Sequence, residues 1–488
     1  MKCDGSFYWY DLETFGIDTK YDRIAQFAGI RTDAELNMIG EPDMFYCQPT
    51  FDYLPTGESV LVTGITPQLC QQKGLPEHAF ANRINEIFSK PKTCVVGYNS
   101  VRFDDECVRT LFYRNLMDPY AREYSHGNSR WDLIDLVRAT YALRPQGIHW
   151  PLREDGQPSF RLEDLSQANG LSHRAAHDAL SDVEATIQMA ALIKQKQPRL
   201  FEFGLKMRDK QYVKGLLNWD LLQPVVHVSG MIPAERGCVS LYVPLAIDPR
   251  NKNGVICYDL NYSPDDLLHL TAEEIGERLY TPQHQLAEGH QRIHLKTIHI
   301  NKIPFVAPVS ILKHTDKARL GLDEASCARH LSHIKEYAKD NQQALIKKVQ
   351  AVFSKPFELQ SDDVDSHIYQ GFFSYDERAY FNQIRDLKAE DIPWATDKMT
   401  VFNDARGPEL VRRYRGRNFP ESLDKKQRQQ WLQECYQRLQ QHHGDNWHRW
   451  FTHMATLKEG LDNADKMALL EAVEDYARNH PLLGLAGH

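Results

Sequence analysis

The spacing of apolar residues changes character along this 488-residue chain, and that change limits the possible folds more than any other feature. Short apolar and aromatic runs at 7–12, 23–31 and 44–47, joined by short polar or Gly/Pro-marked connections, predict three antiparallel strands. A buried strand is predicted at 93–98, and helical spacing occurs at 79–88, 104–115, 131–143, 161–169 and 179–194. Three strands followed by strand–helix alternation predict an α/β domain with a mixed sheet and flanking helices.

The pattern beyond Gln197 differs from that of the first part. Short β-rich pieces dominate from Pro224 to Pro308, which favours a small, barrel-like β domain. From Cys327 onward the spacing is helical and the composition polar. We therefore expect three domains, at residues 1–197, 198–350 and 351–488.

Composition narrows the class of protein. Hydrophobic residues make up 42% and charged residues 25%, as in a globular protein that is not embedded in a membrane. No apolar run approaches the roughly 20 residues that span a bilayer, and the N-terminus turns acidic too early for a secretory signal. Nine cysteines without a CxxC pair are typical of a reducing compartment, so we expect a cytoplasmic protein.

Acidic residues form three separate groups along the chain. Asp11 and Glu13 lie two apart on a predicted strand, so their carboxylates share one face. Asp104 begins a predicted helix, where an acid could simply offset the helix dipole, as could Asp105. His177 and Asp182 belong to the segment HDALSD at the start of the helix predicted at 179–194.

Together these groups have the composition of a metal centre. Four carboxylates suit a pair of Mg²⁺ ions, which prefer oxygen ligands. Two ions roughly 3.5–4 Å apart can stabilise the attacking and leaving oxygens of an in-line phosphoryl displacement. A histidine that titrates near neutral pH can accept the proton of the attacking water. The net charge of −8 does not favour a nucleic-acid binder, but a chelating site can coexist with a local basic groove.

The order D-x-E, then Asp, then H-x₄-D resembles the DEDDh exonucleases of the ribonuclease H-like fold. The segments DLETFG, TGITP, GYNSVRFDDE and HDALSD carry that resemblance, and SRWDLIDLVRATYALRP, HINKIP and YRGRNFP are similar to segments of bacterial exonuclease I. The resemblance implies a nuclease domain, an SH3-like β domain and an α-helical C-terminal domain. It implies processive 3′-to-5′ hydrolysis of single-stranded DNA to 5′-mononucleotides in repair and recombination.

The resemblance also assigns roles to the acidic residues and the histidine. Asp11, Glu13, Asp104 and Asp182 would hold two Mg²⁺ ions, for which Mn²⁺ would substitute, and His177 would be the general base. Six residues would line the pocket for the 3′-terminal nucleotide, namely Thr14, Phe15, Ile65, Thr66, Asn99 and Phe103. Plain core packing is an equal alternative for Phe15, Ile65 and Phe103.

A basic and aromatic segment is a candidate for gripping the DNA strand. Arg412, Arg413, Arg415 and Arg417 are interleaved with Tyr414, and such interleaving favours contact with phosphates and stacking on bases. The alternative is an ordinary solvated helix end. Tyr280, Phe372 and Phe373 are further candidates for stacking.

A second basic cluster is formed by Lys313, Lys317 and Arg319, together with Arg144. It could receive the acidic, apolar C-terminal tail of single-stranded-DNA-binding protein, a partner that the resemblance implies, although an ordinary surface patch is the alternative. We expect a monomer that does not bind membranes.

Three other functions fit part of the pattern. The first is a 3′ exonuclease of RNA, although oligoribonucleases are much shorter. The second is a non-catalytic nucleic-acid clamp, which would not need the catalytic positions that are present here. The third is a proofreading subunit of a polymerase, which would need a partner-binding tail in place of two folded domains.

Overall fold

The computed structural model describes residues 5–172, 178–354, 361, 363–443 and 447–482. The chain forms two compact units. Unit 1 comprises residues 1–130, 174–184 and 360–488, and unit 2 comprises residues 131–173 and 185–359. Within the described ranges, no helix combines the length and the apolar character needed to cross a bilayer. The eight cysteines in these ranges are buried thiols that form no disulfide.

Ten strands are present in the described part of the chain. They are β1 (Ser6–Thr14), β2 (Ile24–Thr32), β3 (Asp43–Tyr46), β4 (Thr93–Gly97), β5 (Ser129–Asp132), β6 (Val225–Val228), β7 (Val239–Ile247), β8 (Gly254–Asp259), β9 (Leu295–His299) and β10 (Phe305–Pro308).

Seventeen α-helices accompany them in the same described ranges. They are α1 (Gly57–Thr63), α2 (Pro67–Lys73), α3 (Glu77–Phe88), α4 (Asp104–Arg114), α5 (Leu133–Leu143), α6 (Leu162–Ala168), α7 (Ala179–Lys196), α8 (Pro198–Leu205), α9 (Lys210–Leu216), α10 (Asp265–His269), α11 (Ala272–Tyr280), α12 (Glu324–Val352), α13 (Tyr375–Asp386), α14 (Arg406–Asn418), α15 (Lys425–His443), α16 (Trp447–Lys458) and α17 (Ala464–Arg478).

The sheet that begins the chain has the order β3-β2-β1-β4-β5. Its central strand β1 is antiparallel to β2 and parallel to β4, so the predicted mixed sheet is confirmed. The predicted helices α3 to α7 are found within two residues of their expected ends. Strand β5 and helices α1 and α2 were not predicted.

Two cores stabilise the nuclease part of unit 1. Tyr8, Tyr10 and Phe27 of the sheet pack with Phe88 of α3 and Leu111 of α4, all nearly inaccessible to solvent. A second core joins α1 and α2 to the C-terminal helices α15, α16 and α17, and its buried members include Trp431, Trp450 and Leu470. The C-terminal helices therefore complete the hydrophobic core of the first 130 residues.

Unit 2 contains an antiparallel sheet of order β10-β6-β7-β8-β9, which confirms the predicted β-rich segment. Helix α12 packs on β7 and on α11. Helices α10 and α11 were not predicted, although Thr271 and Glu274 form a capping box that marks the start of α11. Helix α12 continues past residue 350, and the domain boundaries 1–197, 198–350 and 351–488 remain a prediction.

Candidate active site

The central strand of the first sheet positions the first two carboxylates. Asp11 lies opposite Ala28 and Glu13 opposite Gln26 on β2, and a bulge follows between Glu13 and Thr14. Side chains two residues apart on a strand point to the same face, so both carboxylates are directed to one side of the sheet. The bulge lies directly after the pair, at the end of the strand.

The third carboxylate reaches the same edge because β4 runs parallel to β1. The carboxyl ends of parallel strands lie at one edge of a sheet, and the turn after β4 leads directly into α4, whose first residue is Asp104. A Cβ atom on Gly97 would lie 2.5 Å from Cβ of Ser100, so this tight turn requires glycine. Asn99 supplies a left-handed residue in the same turn, with φ of 63°.

The fourth carboxylate comes from the first turn of α7. Ligand atoms of Asp11, Glu13 and Asp182 all lie within 4.8 Å of one another. Asp104 is buried, and its negative charge helps to raise the pKa of Asp11. The chain thus brings together four carboxylates that are up to 171 positions apart, 182 less 11.

The electrostatics of this cluster are unfavourable without a cation. Burial raises the pKa of Asp11 well above its ordinary value, and the charges of Asp104, Glu13 and Asp182 raise it further. Burial also raises the pKa of Glu13 to about 8, with added repulsion from Asp182 and Asp104. Clustered carboxylate oxygens are the donor set of a hard divalent cation, and such a cation would remove this repulsion.

The neighbouring acid, Asp105, has a different environment. Its carboxylate accepts hydrogen bonds from the hydroxyl of Tyr10 and from the guanidinium groups of Arg122 and Arg130, each 2.7 Å long. These charges hold the pKa of Asp105 below its usual value. Because Tyr10 precedes Asp11, this contact fixes the start of α4 beside β1 and positions Asp104. Sequence reasoning missed this role, since no local pattern connects Asp105 with its two arginines.

His177 lies outside the described residues, so its role as general base stays a prediction. Its neighbour Asp178 accepts a hydrogen bond from the backbone N–H of Ser181, 3.3 Å away. Asp178 therefore caps the entry to α7.

Three of the predicted pocket residues contribute to hydrophobic cores. Phe15 and Ile65 are buried in the core shared with the C-terminal helices. Phe103 is partly buried against the core of the sheet. These positions are consistent with core packing, and contact with a nucleotide stays a prediction for each.

The three polar pocket candidates lie at the end of a strand, at the start of a helix and in a turn. The Thr14 hydroxyl donates to the carbonyl of Gly16 at 2.7 Å. The Thr66 side chain accepts from the backbone N–H of Leu69 and caps α2. Asn99 is exposed in the turn after β4. Contact of these three residues with a nucleotide also stays a prediction.

Most of the strand-grip candidates at residues 412–417 are buried, and contact of this segment with DNA stays a prediction. Arg413, Tyr414, Arg415 and Arg417 are buried in α14, and Tyr414 packs in a core with residues of α4 and α13. The alternative of a solvated helix end is wrong, because these side chains are buried. The partly buried Arg412 is paired with Glu409 and Glu434.

Acidic residues far away in the sequence neutralise Arg417. The guanidinium of Arg417 donates to Asp52 at 2.8 Å and to Asp365 at 2.5 Å, and the Arg417 and Asp52 side chains are 0% exposed. Arg438 joins the same network, 2.7 Å from Asp52 and 2.9 Å from Asp365. Burial raises the pKa of both acids, but the arginines lower it more, so both remain ionised. The network connects the first part of the chain to the last.

The aromatic candidates for strand contact differ in exposure. Tyr280 in unit 2 is 58% exposed, and Phe372 in unit 1 is 82% exposed. Phe372 lines a cavity of about 300 Å³ together with Tyr120, Tyr375 and Arg378. Phe373 is partly buried against a core and is less available for stacking on a base.

The second basic cluster is brought together within unit 2. Arg144 donates to the hydroxyl of Thr315 at 3.0 Å and to the carbonyl of Ile311 at 2.9 Å. Arg319 donates to the carbonyls of Tyr141 and Ala142, and Lys317 pairs with Glu324 at 2.6 Å. Lys313 is exposed beside them. The end of α5 and residues 309–320 thus form one basic surface.

Comparison with known protein families gives three consecutive matches. Residues 8–190 match the exonuclease family, residues 208–355 the exonuclease I SH3-like domain, and residues 362–480 the exonuclease I C-terminal domain. The ribonuclease H-like nuclease fold, the SH3-like domain and the helical C-terminal domain are therefore confirmed.

Full-length relatives agree with these matches. Exodeoxyribonuclease I of Escherichia coli K12 is 45% identical over 482 residues, and that of Haemophilus influenzae is 43% identical over 479, each comparison covering at least 98% of both chains. The crystal structure of E. coli exonuclease I with a dA16 oligonucleotide superimposes with a TM-score of 0.91 at 43% identity, over 98% of this chain and 100% of that one. Exonuclease I of Methylocaldum szegediense gives the same TM-score at 44% identity, over 98% of this chain and 99% of that one. The chain therefore belongs to the exodeoxyribonuclease I family, whose members are exonucleases that hydrolyse DNA.

Proposed function

We propose that this protein hydrolyses single-stranded DNA from the 3′ end, releases 5′-mononucleotides, and uses two Mg²⁺ ions, for which Mn²⁺ can substitute. The convergence of Asp11, Glu13 and Asp182 within 4.8 Å carries the proposal. Complexes of E. coli exonuclease I with oligonucleotides support single-stranded DNA as the substrate class. We further propose a cytoplasmic monomer that acts in DNA repair and recombination.

The four carboxylates would hold the ions beside the scissile phosphate. Bound there, divalent ions supply positive charge that offsets the charge developing on the phosphate oxygens. Attack of water forms a new P–O bond and breaks the bond to the 3′ oxygen of the preceding nucleotide. The released 3′ oxygen takes up a proton and becomes the new 3′ end.

His177 would accept the proton of the attacking water, a role that rests on the H-x₄-D spacing to Asp182. We expect the histidine to contribute roughly 10²–10⁴-fold to the rate and the ions to contribute more.

The polarity of digestion is tested with single-stranded DNA that is labelled at either end. In Mg²⁺, a 3′ label should be released at once as a mononucleotide, whereas a 5′ label should remain on progressively shorter products. A chelator should stop both reactions, and Mn²⁺ should restore them. Early release of the 5′ label would reject the proposal.

A matched pair of variants separates catalysis from binding. Asp182→Asn removes a charged ligand and keeps the shape of the side chain, so hydrolysis should be lost while DNA affinity changes little. Glu184→Gln alters a carboxylate two residues later in α7 and should leave activity unchanged. If Asp182→Asn kept full activity, the metal assignment would fail.

RNA is the alternative substrate within the same superfamily. An oligoribonuclease of Hydrogenovibrio crunogenus is 41% identical, but only over 54 residues, or 11% of this chain. A match of 54 residues is too short to cover the nuclease domain together with the β-rich and helical regions that follow it. Turnover on matched DNA and RNA oligonucleotides decides between the substrates, and equal rates would remove the DNA preference.

Processive digestion is proposed from the family resemblance and from the exposed aromatic rings. Phe372 lines a cavity large enough for part of a nucleotide, and Tyr280 offers a second exposed ring. Stacking on such a ring stabilises binding by roughly 1–3 kcal/mol per base. Phe372→Ala should shorten the run of cleavages per binding event in a trap-DNA assay. Release of wild-type enzyme after every cleavage would contradict processivity.

The basic surface around Arg144 and Lys313 is proposed to bind the C-terminal tail of single-stranded-DNA-binding protein. Lys313 is exposed and carries the positive charge that an acidic tail requires. Lys313→Glu should weaken binding of a fluorescent tail peptide, whereas Lys252→Glu, an exposed lysine elsewhere in unit 2, should not. Unchanged peptide affinity in Lys313→Glu would remove the assignment.

A further inference from the structure

A second cluster of metal-ligating side chains lies in unit 2, among residues that are not part of the carboxylate cluster. Asp265, His269 and His333 each place one ligand atom within 4.8 Å of the other two. Asp265 and His269 are the first and last residues of α10, and their i, i+4 spacing places both on one helix face. His333 comes from α12, which packs against α10. We propose that these residues bind one borderline transition-metal ion, such as Zn²⁺, at the surface of unit 2.

The geometry is close to that of a bound ion. Nδ1 of His333 lies 3.3 Å from Oδ1 of Asp265. Two ligands on a tetrahedral zinc ion, each about 2.0–2.1 Å from the metal, are themselves about 3.3 Å apart. An exposed ion pair would explain the approach of His333 to Asp265, but it would not explain the third ligand, His269. All three side chains are exposed, so rotation of His269 can complete the triad.

The backbone that carries these ligands is held firmly. Leu267 and Leu268 anchor α10 in the core, and Ile334, next to His333, is fully buried. Nζ of Lys348 on α12 donates to the carbonyls of Leu268 and Leu270 at 2.8 and 3.2 Å, which fixes the end of α10. The ion would therefore bind to prepositioned helices.

An outer partner orients the carboxylate. The hydroxyl of Ser263 donates to Oδ2 of Asp265 at 2.7 Å, which leaves Oδ1 directed toward His333. The carbonyl of Ser263 in turn accepts a hydrogen bond from Tyr258 at 2.5 Å. Metal-ligating carboxylates are commonly held by such partners.

The donor set distinguishes this site from the catalytic one. Two imidazoles and one carboxylate suit Zn²⁺, Co²⁺, Ni²⁺ or Cu²⁺, whereas Mg²⁺ prefers an all-oxygen set like that of Asp11 and Glu13. Three protein ligands leave a coordination position for water. Bound here, the ion would link α10 to α12 and stabilise unit 2 by an amount that rises with the logarithm of the free ion concentration.

The test compares zinc binding to the full-length wild type and to a His269→Asn/His333→Asn double variant. Equilibrium dialysis in a large excess of Mg²⁺ keeps the carboxylate site occupied by Mg²⁺. Wild type should bind one more equivalent of Zn²⁺ than the double variant, and Zn²⁺ should raise the Tm of wild type only. His290→Asn, the same change at an exposed histidine of unit 2, should behave as wild type.

A second measurement uses Co²⁺ as a spectroscopic probe. Wild type should develop visible d–d absorption when it is titrated with Co²⁺. Asp265→Asn should lower the apparent Co²⁺ affinity from this titration by more than tenfold, since even outer partners of a metal site contribute about 10–100-fold. DNA hydrolysis in Mg²⁺ should be the same for all these variants. Equal zinc stoichiometry in wild type and double variant, or an unchanged cobalt spectrum, would overturn the proposal.

Discussion

Replacement of Arg417 by methionine separates a structural role from a DNA-binding role for α14. In the structure this guanidinium pairs with Asp52 and Asp365, and both acids are buried. Removal of one partner from a buried ion pair leaves an uncompensated charge and costs about 3–5 kcal/mol. Since a typical protein is stable by only about 5–15 kcal/mol, Arg417→Met should lose a large part of the stability of unit 1.

The assay is urea unfolding followed by tryptophan fluorescence. Trp431 is buried in unit 1, and its ring packs against the backbone of Gly416, next to Arg417. Its emission should therefore report that this region unfolds at a lower urea concentration in Arg417→Met than in the wild type. The partly exposed Arg412, paired with Glu409 and Glu434, gives the control, because Arg412→Met should cost only about 1 kcal/mol or less.

The DNA affinity of the same variants gives the decisive contrast. A phosphate contact to single-stranded DNA contributes about 0.7 to the slope of log K against log salt concentration. Arg417→Met should leave this slope unchanged under conditions in which the variant is folded. If the urea midpoint were unchanged and the salt slope of DNA binding fell by about 0.7, the structural role would be refuted. Arg417 would then be assigned to contact with DNA.

Four further predictions concern the carboxylate cluster and the residues that position it. In chelator, the stability of the wild type should fall as pH rises from about 4.5 toward 8, because folding raises the pKa of Glu13 to about 8 and the unfolded chain releases that proton. Glu13→Gln should therefore raise the Tm in chelator, and the increase measured by scanning fluorimetry should be larger at pH 9 than at pH 6. A lower Tm of the variant at both pH values would contradict this prediction. The apparent Mg²⁺ affinity should rise by about tenfold per pH unit between pH 6 and 8 for each proton that the ion displaces. A calorimetrically measured affinity that does not change with pH would count against this prediction. Asp105→Asn should lower the free energy of unfolding in urea by about 3–5 kcal/mol and should also slow hydrolysis, because it releases the start of α4. If neither stability nor the hydrolysis rate fell, Asp104 would be positioned by other contacts. Gly97→Ala should lower the hydrolysis rate, since the added Cβ would displace the turn that leads to Asp104, and an unchanged rate would show that the turn adapts.

Much of the nuclease fold could be predicted from local patterns. The apolar runs of β1, β2 and β4 and the helical spacing of α4 and α7 are strong short-range signals, and they correctly place Asp11, Glu13, Asp104 and Asp182 on their elements. Helices α1 and α2 were missed, although Thr66 followed by Pro67 is a usual start signal. Strand β5 was missed because Asp132, which caps α5, was included in the helix.

The burial of α14 could not be predicted from its own residues. A helix with five arginines normally faces solvent, but the acids that pair with the buried Arg417 are Asp52 and Asp365, at least 52 positions away, 417 less 365. Such long-range pairing leaves no periodic pattern in the sequence. For the same reason, the contacts of Asp105 with its two arginines could not be predicted from the sequence.

The contact between Asp52 and Arg417 spans 365 positions, and this distance affects how the chain is made. At about 5–20 residues per second, a ribosome needs roughly 20–70 s to synthesise the intervening segment. During that interval α1 and α2 have emerged without Trp431, Trp450 and Leu470, the residues that later cover them. The growing polypeptide therefore exposes apolar surface for tens of seconds. The nuclease core is fully buried only after the final helices have been translated.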